Sequence, residues 1–169
     1  MEPLRGQHVV LRRLVEDDRP EIGRILDDPT VVRWWGPGDV ARRLAEWFDD
    51  DDDTERFAIE LEGRIVGTVQ FHEENEPDYR HAGLDIFLDG PHQGKGIGVD
   101  ALRTLARYLV DVRGHHRLTI DPSAANDRAI RAYARVGFRP VGVMRRYERG
   151  SDGTFHDGLL MDMLADDLT

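Results

Sequence analysis

An α/β (α+β) fold, built on one mixed sheet with helices on both faces, is what this sequence predicts, and three observations carry it. Short strand-like runs recur from residue 9 to residue 164, interrupted by runs with apolar residues three and four apart. The runs at 57–61 and 65–71 are separated only by Glu62-Gly63-Arg64, a short hairpin connection. The run at 82–88 leads into a glycine-rich turn, Gln93-Gly94-Lys95-Gly96-Ile97-Gly98, and then into a helical pattern over 99–112.

The elements follow in order. Residues 9–14 alternate and read as a first strand. Asp17 and Asp18 ahead of Pro20 mark a helix start, giving a helix over 20–26. Pro29, Gly36, Pro37 and Gly38 mark a loop that carries Trp34 and Trp35. Asp39 then caps a helix over 40–48. The hairpin and the strand at 82–88 precede the glycine-rich turn, and its helix is apolar at 99, 102, 105, 106 and 109. A strand at 118–120 follows. Asn126 caps a helix that runs to 136 and stops at Gly137. Strands at 141–146 and 159–164 close the chain as a hairpin around 150–153. The order is β-α-α-β-β-β-α-β-α-β-β, with no repeat and no linker, so 1–169 reads as a single domain.

Composition narrows the function. The chain has no cysteine, which removes disulfides, thiolate metal ligands and a cysteine nucleophile together. No apolar run approaches the ~20 residues of a membrane span, and Met1-Glu2-Pro3-Leu4-Arg5 lacks the shape of a signal peptide. A cytoplasmic protein with no membrane partner is expected. The net charge of −10 disfavours nucleic acid as a partner. That acidity reads either as solubility or as attraction for a polycation. The second reading rests on the acids at 49–53, on Glu73, Glu74, Glu76 and Asp78, and on Asp85 and Asp121. The seven histidines show no ligand spacing, so no metal site is expected.

A glycine-rich turn between a strand and a helix N-terminus is suited to an anion, because backbone N–H groups and the helix dipole face it. A plain connecting loop is the alternative. In a Walker loop the Gly-Lys pair is followed by Ser or Thr, whereas Lys95 is followed by Gly96. A Rossmann fingerprint sits early in a βαβ unit, and this turn lies past mid-chain. The segment resembles instead the pyrophosphate loop, Gln-x-x-Gly-x-Gly, of the GNAT superfamily of N-acetyltransferases. Asn126-Asp127-Arg128-Ala129-Ile130-Arg131-Ala132-Tyr133-Ala134-Arg135-Val136-Gly137-Phe138 resembles the superfamily's second signature, Asn-x-x-Ala-x-x-x-Tyr-x-x-x-Gly-Phe. The resemblance extends over essentially the whole chain.

A finer likeness lies inside it. Val32-Arg33-Trp34-Trp35-Gly36, Gln70, Asp85, Thr119-Ile120-Asp121-Pro122-Ser123 and the stretch from Asn126 to Tyr133 resemble the aminoglycoside 6′-N-acetyltransferases. Leu11-Arg12-Arg13-Leu14 with Asp17-Asp18, and the closing hairpin from Arg145-Arg146-Tyr147 to Leu159-Leu160-Met161, also resemble ribosomal-protein N-terminal acetyltransferases.

The resemblance implies a mostly antiparallel sheet with splayed middle strands, acetyl-CoA as co-substrate, no metal, and direct acetyl transfer to an amine in a ternary complex. It implies a monomer or a homodimer. The loop from Gln93 through Gly94, Lys95, Gly96, Ile97 and Gly98 would hold the pyrophosphate. Ile86, Phe87 and Leu88 would lie along the pantetheine arm and polarise the thioester through a backbone N–H. Asn126 would contact the coenzyme as well as cap its helix.

Tyr133 is either a core tyrosine or the acid that returns a proton to sulfur. Asp85, on the strand face opposite Leu84, Ile86 and Leu88, is either a structural ion-pair partner or the carboxylate that positions the amine and helps to deprotonate it. Asp121 is either a turn device or a second acceptor contact. Trp34 and Trp35 are either core residues or an apolar wall for a sugar, and Gln70 completes the expected acceptor set. The acceptor is expected to be a cationic aminoglycoside, with a protein N-terminus or a polyamine as the alternative. A catalytically silent coenzyme A sensor is the non-enzymatic alternative.

Overall fold

The computed structural model describes residues 1–35, 40–49 and 53–169. Among them run strands β1 (Leu4–Arg5), β2 (Val9–Arg13), β3 (Thr54–Leu61), β4 (Arg64–Glu74), β5 (His81–Leu88), β6 (Arg117–Ile120), β7 (Arg139–Arg149) and β8 (Phe155–Leu164). The helices are α1 (Arg19–Leu26), α2 (Pro29–Trp35), α3 (Val40–Phe48), α4 (Ile97–Asp111) and α5 (Asp127–Val136). One sheet holds the strands in the order β1-β2-β3-β4-β5-β6-β8-β7. Neighbours are antiparallel except β5 and β6.

The period of two along β5 divides the core. Leu84, Ile86 and Leu88 pack with Val99, Leu102, Leu105, Ala106 and Leu109 of α4, and with Ile130, Tyr133 and Val136 of α5. Phe87 points the other way, into Ile22, Ile25 and Leu26 of α1, Val31 of α2 and Trp47 of α3. Each fully buried side chain of this size contributes roughly 1.5–3 kcal/mol. The helices therefore cover both faces of the sheet, as the sequence order implies.

Asp100 in the first turn of α4 ties the helix to the β1–β2 turn. Its carboxylate accepts the N–H groups of Gln7, His8 and Val9 at 2.9, 2.7 and 3.1 Å. Asn126 caps α5 by accepting from the Ala129 N–H at 3.2 Å. Gly137 ends that helix at φ +130°, where a Cβ would lie 2.3 Å from the Asp167 carbonyl oxygen.

Three details differ from the sequence expectation. The loop carrying Trp34 and Trp35 is a helix from Pro29 to Trp35. Pro29 sits at its first position, and the Asp28 carboxylate accepts the Thr30 N–H at 2.9 Å. Gly36-Pro37-Gly38 outweighs that start signal when the sequence is read alone. A short strand, β1, precedes the expected first strand. The helix expected at 20–26 follows a single 3-10 turn at Glu16–Asp18. The cap expected at Asp39, and most of the acidic run at 49–53, lie outside the described residues.

The feature that positions the site is the parting of β5 and β6. They pair only at Ala82 with Leu118 and at Gly83 with Thr119. Beyond that point β5 stays paired with β4 as far as Leu88, opposite Gly67. Its other edge, over 84–88, has no strand beside it among the described residues.

Candidate active site

A cleft of about 1400 Å³ opens where β5 and β6 separate. This exceeds the ~300–1,000 Å³ typical of a pocket for one small ligand, so it has room for two. Its two ends have opposite chemistry.

At one end lies the glycine-rich turn. A 3-10 turn at Gly90–His92 leads into Gln93. Gly94 and Gly96 then take φ of +71° and +82°, left-handed values at which side chains are strained. Gly96 is the N-cap of α4, and a Cβ there would meet nothing within 4 Å. The N–H groups of Gly94, Lys95 and Gly96 donate to no main-chain oxygen among the described residues. Those of the first α4 turn lack helical partners by geometry. This makes a concave surface of donors at a positive helix end, suited to a phosphate.

The turn is held from three sides. The Gln93 side-chain amide donates to the Leu88 carbonyl at 2.8 Å and to Thr30 Oγ1 at 2.9 Å, and its oxygen accepts from Arg128 at 3.1 Å. Asp28 accepts the Gly90 N–H at 2.8 Å. Asp89, buried, meets His92 Nδ1 at 2.5 Å and Arg24 at 3.3 Å.

Gln93, Gly94, Gly96, Gly98 and Asn126 all line the cleft, with Ile86, Phe87 and Leu88 along its side. Lys95 is exposed and does not line it, and the Ile97 side chain joins the core. Neither side chain lines the cleft. Arg128, Arg131 and Arg135 line it from α5, and sequence reasoning missed them as a set. Their signal was present, since residues three and seven apart share a helix face.

At the other end the lining is acidic. Asp85 reaches the cleft from β5 and Asp121 from the end of β6. Burial holds the Asp85 carboxyl above the usual aspartate range. The Gln70 hydrogen bond opposes this, the charge of Asp121 adds to it, and that of His72 opposes it. Gln70 lies behind Asp85 rather than in the lining. Its amide donates to Asp85 Oδ2 at 3.0 Å, while its oxygen accepts from Arg56 at 3.1 Å. Arg56 thereby fixes which way the Gln70 amide faces.

The Tyr133 ring packs in an edge-type contact with Phe138 at 6.5 Å, and Tyr133 lines the cleft. Burial first, then the charges of Asp85 and Asp121, raise its phenol well above the ordinary value. The hydroxyl is therefore protonated throughout the physiological range.

Trp34 and Trp35 both line the cleft from α2, but they differ. The Trp35 ring packs against Trp47 and Phe87, at centroid distances of 6.0 and 5.3 Å. Among the described residues Trp34 carries only Arg33 over its ring, at 4.7 Å, and belongs to neither core cluster.

Sequence reasoning also missed Tyr147 and Glu148 of β7, which line this end. The Tyr147 hydroxyl donates to Asp121 Oδ2 at 2.6 Å. That bond, with burial and the nearby carboxylates, pushes its phenol up to about 12. Burial, then Asp121 and Asp85, raise the Glu148 carboxyl. No sequence signal places this pair in the cleft, because a register shift between β7 and β8 brings it in.

With this geometry in place, the chain compares as follows with known proteins. The family model described as Acetyltransferase (GNAT) domain matches residues 8–139. The chain is 26% identical to spermidine N(1)-acetyltransferase of Escherichia coli strain K12 over 158 residues, covering 90% of this chain and 84% of that one. It is 28% identical to aminoglycoside N(6′)-acetyltransferase type 1 of Klebsiella pneumoniae over 155 residues, covering 80% and 76%. The fold matches that of Mycobacterium smegmatis RimJ in complex with CoA-disulfide at a TM-score of 0.85, with 24% identity and coverage of 99% and 88%.

Proposed function

Because the chain belongs to the GNAT family of acetyltransferases, we propose that it moves the acetyl group of acetyl-CoA directly onto a primary amine of a cationic small molecule, the 6′-amino group of an aminoglycoside. One observation carries this reading. The cleft carries a glycine turn and three arginines at one end and the carboxylates Asp85, Asp121 and Glu148, with Arg149 next to the last, at the other. A polyanionic donor and a polycationic acceptor fit its two ends, and the amine meets the donor between them.

The residues present fit coenzyme A at the first end. The donors around Gly94 to Gly98 would hold the pyrophosphate, and Arg128, Arg131 and Arg135 supply positive charge for its phosphates. The open edge of β5 at Ile86 to Leu88 offers main-chain groups to an extended arm. Bound acetyl-CoA supplies the activated acetyl group.

At the second end Asp85 binds the acceptor ammonium and takes part in removing its proton. Its raised pKa makes it a better base than an ordinary aspartate. Tyr133 holds a proton at its hydroxyl for the departing sulfur. Asp85 and Asp121 weaken that phenol as an acid. A cation bound between them cancels part of their field, so acceptor binding itself makes Tyr133 the stronger acid. Trp34 offers the sugar an aromatic surface that core packing has not consumed.

A linear polyamine is the second reading, favoured by the Escherichia coli relative that spans 90% of the chain. Thiol release from acetyl-CoA, measured with kanamycin-class compounds, polyamines and N-terminal peptides, tests both. The aminoglycosides should give the highest kcat/KM. Turnover confined to peptides would overturn the cationic small-molecule reading, and a preference for polyamines would select the second one.

A further inference from the structure

The β7–β8 pairing shifts register twice, between Pro140 and Gly142 and, beside the cleft, between Met144 and Glu148. Met144 pairs with Gly158 and Glu148 with His156, so β7 spends four residues where β8 spends two. Arg146, at φ +48°, is the strained residue of this bulge, and its N–H is taken by Asp157 Oδ1 at 2.9 Å. Bulges bend an edge strand and re-aim its side chains. Here the result is that Tyr147 and Glu148 enter the lining of the cleft.

The carboxylates at this end differ in what satisfies them. Asp85 has Gln70 at 3.0 Å, and Asp121 has the Tyr147 hydroxyl at 2.6 Å. The Glu148 side chain makes no hydrogen bond or ion pair among the described residues; it is half-buried in the field of the other two, which the charge of His156 partly opposes. The neighbouring Arg149 also lines the cleft, but its Nε donates to the Gly153 carbonyl at 3.1 Å and it makes no ion pair with Glu148 among the described residues. A half-buried carboxylate beside two others is unfavourable unless a cation joins it.

We propose that Glu148, placed in the cleft by the Arg146 bulge, binds a second ammonium group of the acceptor and so selects acceptors that carry at least two amines. Asp85 takes the amine to be acetylated, and Glu148 takes another positive charge on the same molecule. This rests on the cationic-acceptor reading above and adds a requirement for valence.

The experiment compares a monoamine and a diamine of equal chain length, together with two larger polycations. Pentylamine, 1,5-diaminopentane, spermidine and tobramycin are assayed by thiol release with wild type, Glu148→Gln and Glu148→Asp. Glu148→Gln should lower kcat/KM by tenfold or more for the diamine, spermidine and tobramycin, mostly through KM. For pentylamine the loss should stay within twofold, and KM for acetyl-CoA should not change. Glu148→Asp should recover much of the loss, because it restores the charge. An equal loss for pentylamine and the diamine, or no loss for any acceptor, overturns the assignment of Glu148 while leaving the cationic-acceptor reading intact. A wild-type enzyme that acetylates none of the four amines overturns that reading instead. Melting temperatures of both variants within a few degrees of wild type show that the kinetics report the site and not the fold.

Discussion

Replacing Asp85 with asparagine tests the acceptor end most sharply, because the surrounding hydrogen bonds dictate what the new side chain does. The Gln70 oxygen is committed to Arg56, so Gln70 presents only its amide N–H to residue 85. In Asp85→Asn the asparagine must therefore turn its oxygen towards Gln70 and its NH2 group into the cleft. A group that accepted from an ammonium becomes one that opposes it. Removing one side of a desolvated charge pair costs ~2–5 kcal/mol. At 1.4 kcal/mol per tenfold, kcat/KM for the amine should fall by roughly 30-fold to several thousand-fold. KM for acetyl-CoA should stay within about twofold, because the coenzyme end is built from other residues.

Stability should move the other way. Burial raises the Asp85 carboxyl above its unfolded value. Its charge therefore destabilises the fold as pH rises past the unfolded pKa, and fully above the folded one. The variant should melt no lower than wild type near neutral pH and lose any advantage in acid. Steady-state thiol-release kinetics and thermal melts across pH measure both effects. A loss in kcat/KM below about fivefold, or an equal rise in KM for acetyl-CoA, would refute the placement of Asp85 at the acceptor.

Three further outcomes are expected. Tyr133→Phe keeps the packing against Phe138 and should lower kcat by ~10²-fold, within the range for general acid catalysis, at nearly unchanged KM; wild-type kcat would return Tyr133 to the core or show that chemistry is not rate-limiting. Gly96→Val meets no neighbour within 4 Å, so the fold bears only the left-handed strain, ~1–2 kcal/mol, while KM for acetyl-CoA should rise; coenzyme affinity equal to wild type in the folded variant would remove the turn from the coenzyme site. Asp18, buried, accepts from Arg12 at 2.7 and 2.8 Å and from the Val15 N–H at 2.9 Å. Burial opposes the Asp18 charge, but these bonds and the Arg12 charge outweigh it and hold the carboxyl below the usual range. That contribution is present above the unfolded pKa and lost as pH falls through the folded one. Asp18→Asn should cost about 2 kcal/mol near neutral pH, from lost hydrogen bonds to a charged group. Melts should show that gap narrowing in acid, and a gap independent of pH would contradict it.

The sequence by itself determined what is local. A glycine turn ahead of an apolar helix, an asparagine cap, a glycine stop and a tyrosine seven residues past the cap are legible because backbone preference and helix period act over a few residues. The strand pattern of β5 likewise put Asp85 and Phe87 on the face opposite Leu84, Ile86 and Leu88. The tertiary structure decided what depends on partners distant in sequence. Trp34 and Trp35 share a motif, yet only Trp35 packs its ring against Trp47 and Phe87. Gln70 looked like a ligand contact and lies behind Asp85, because Arg56 on the neighbouring strand holds it there. Nothing in the sequence places Tyr147 and Glu148 in the cleft, because their entry depends on β7 spending two more residues than β8 beside Asp157. Register between strands is set by the whole sheet, so a mismatch between two of them cannot be read from either one alone.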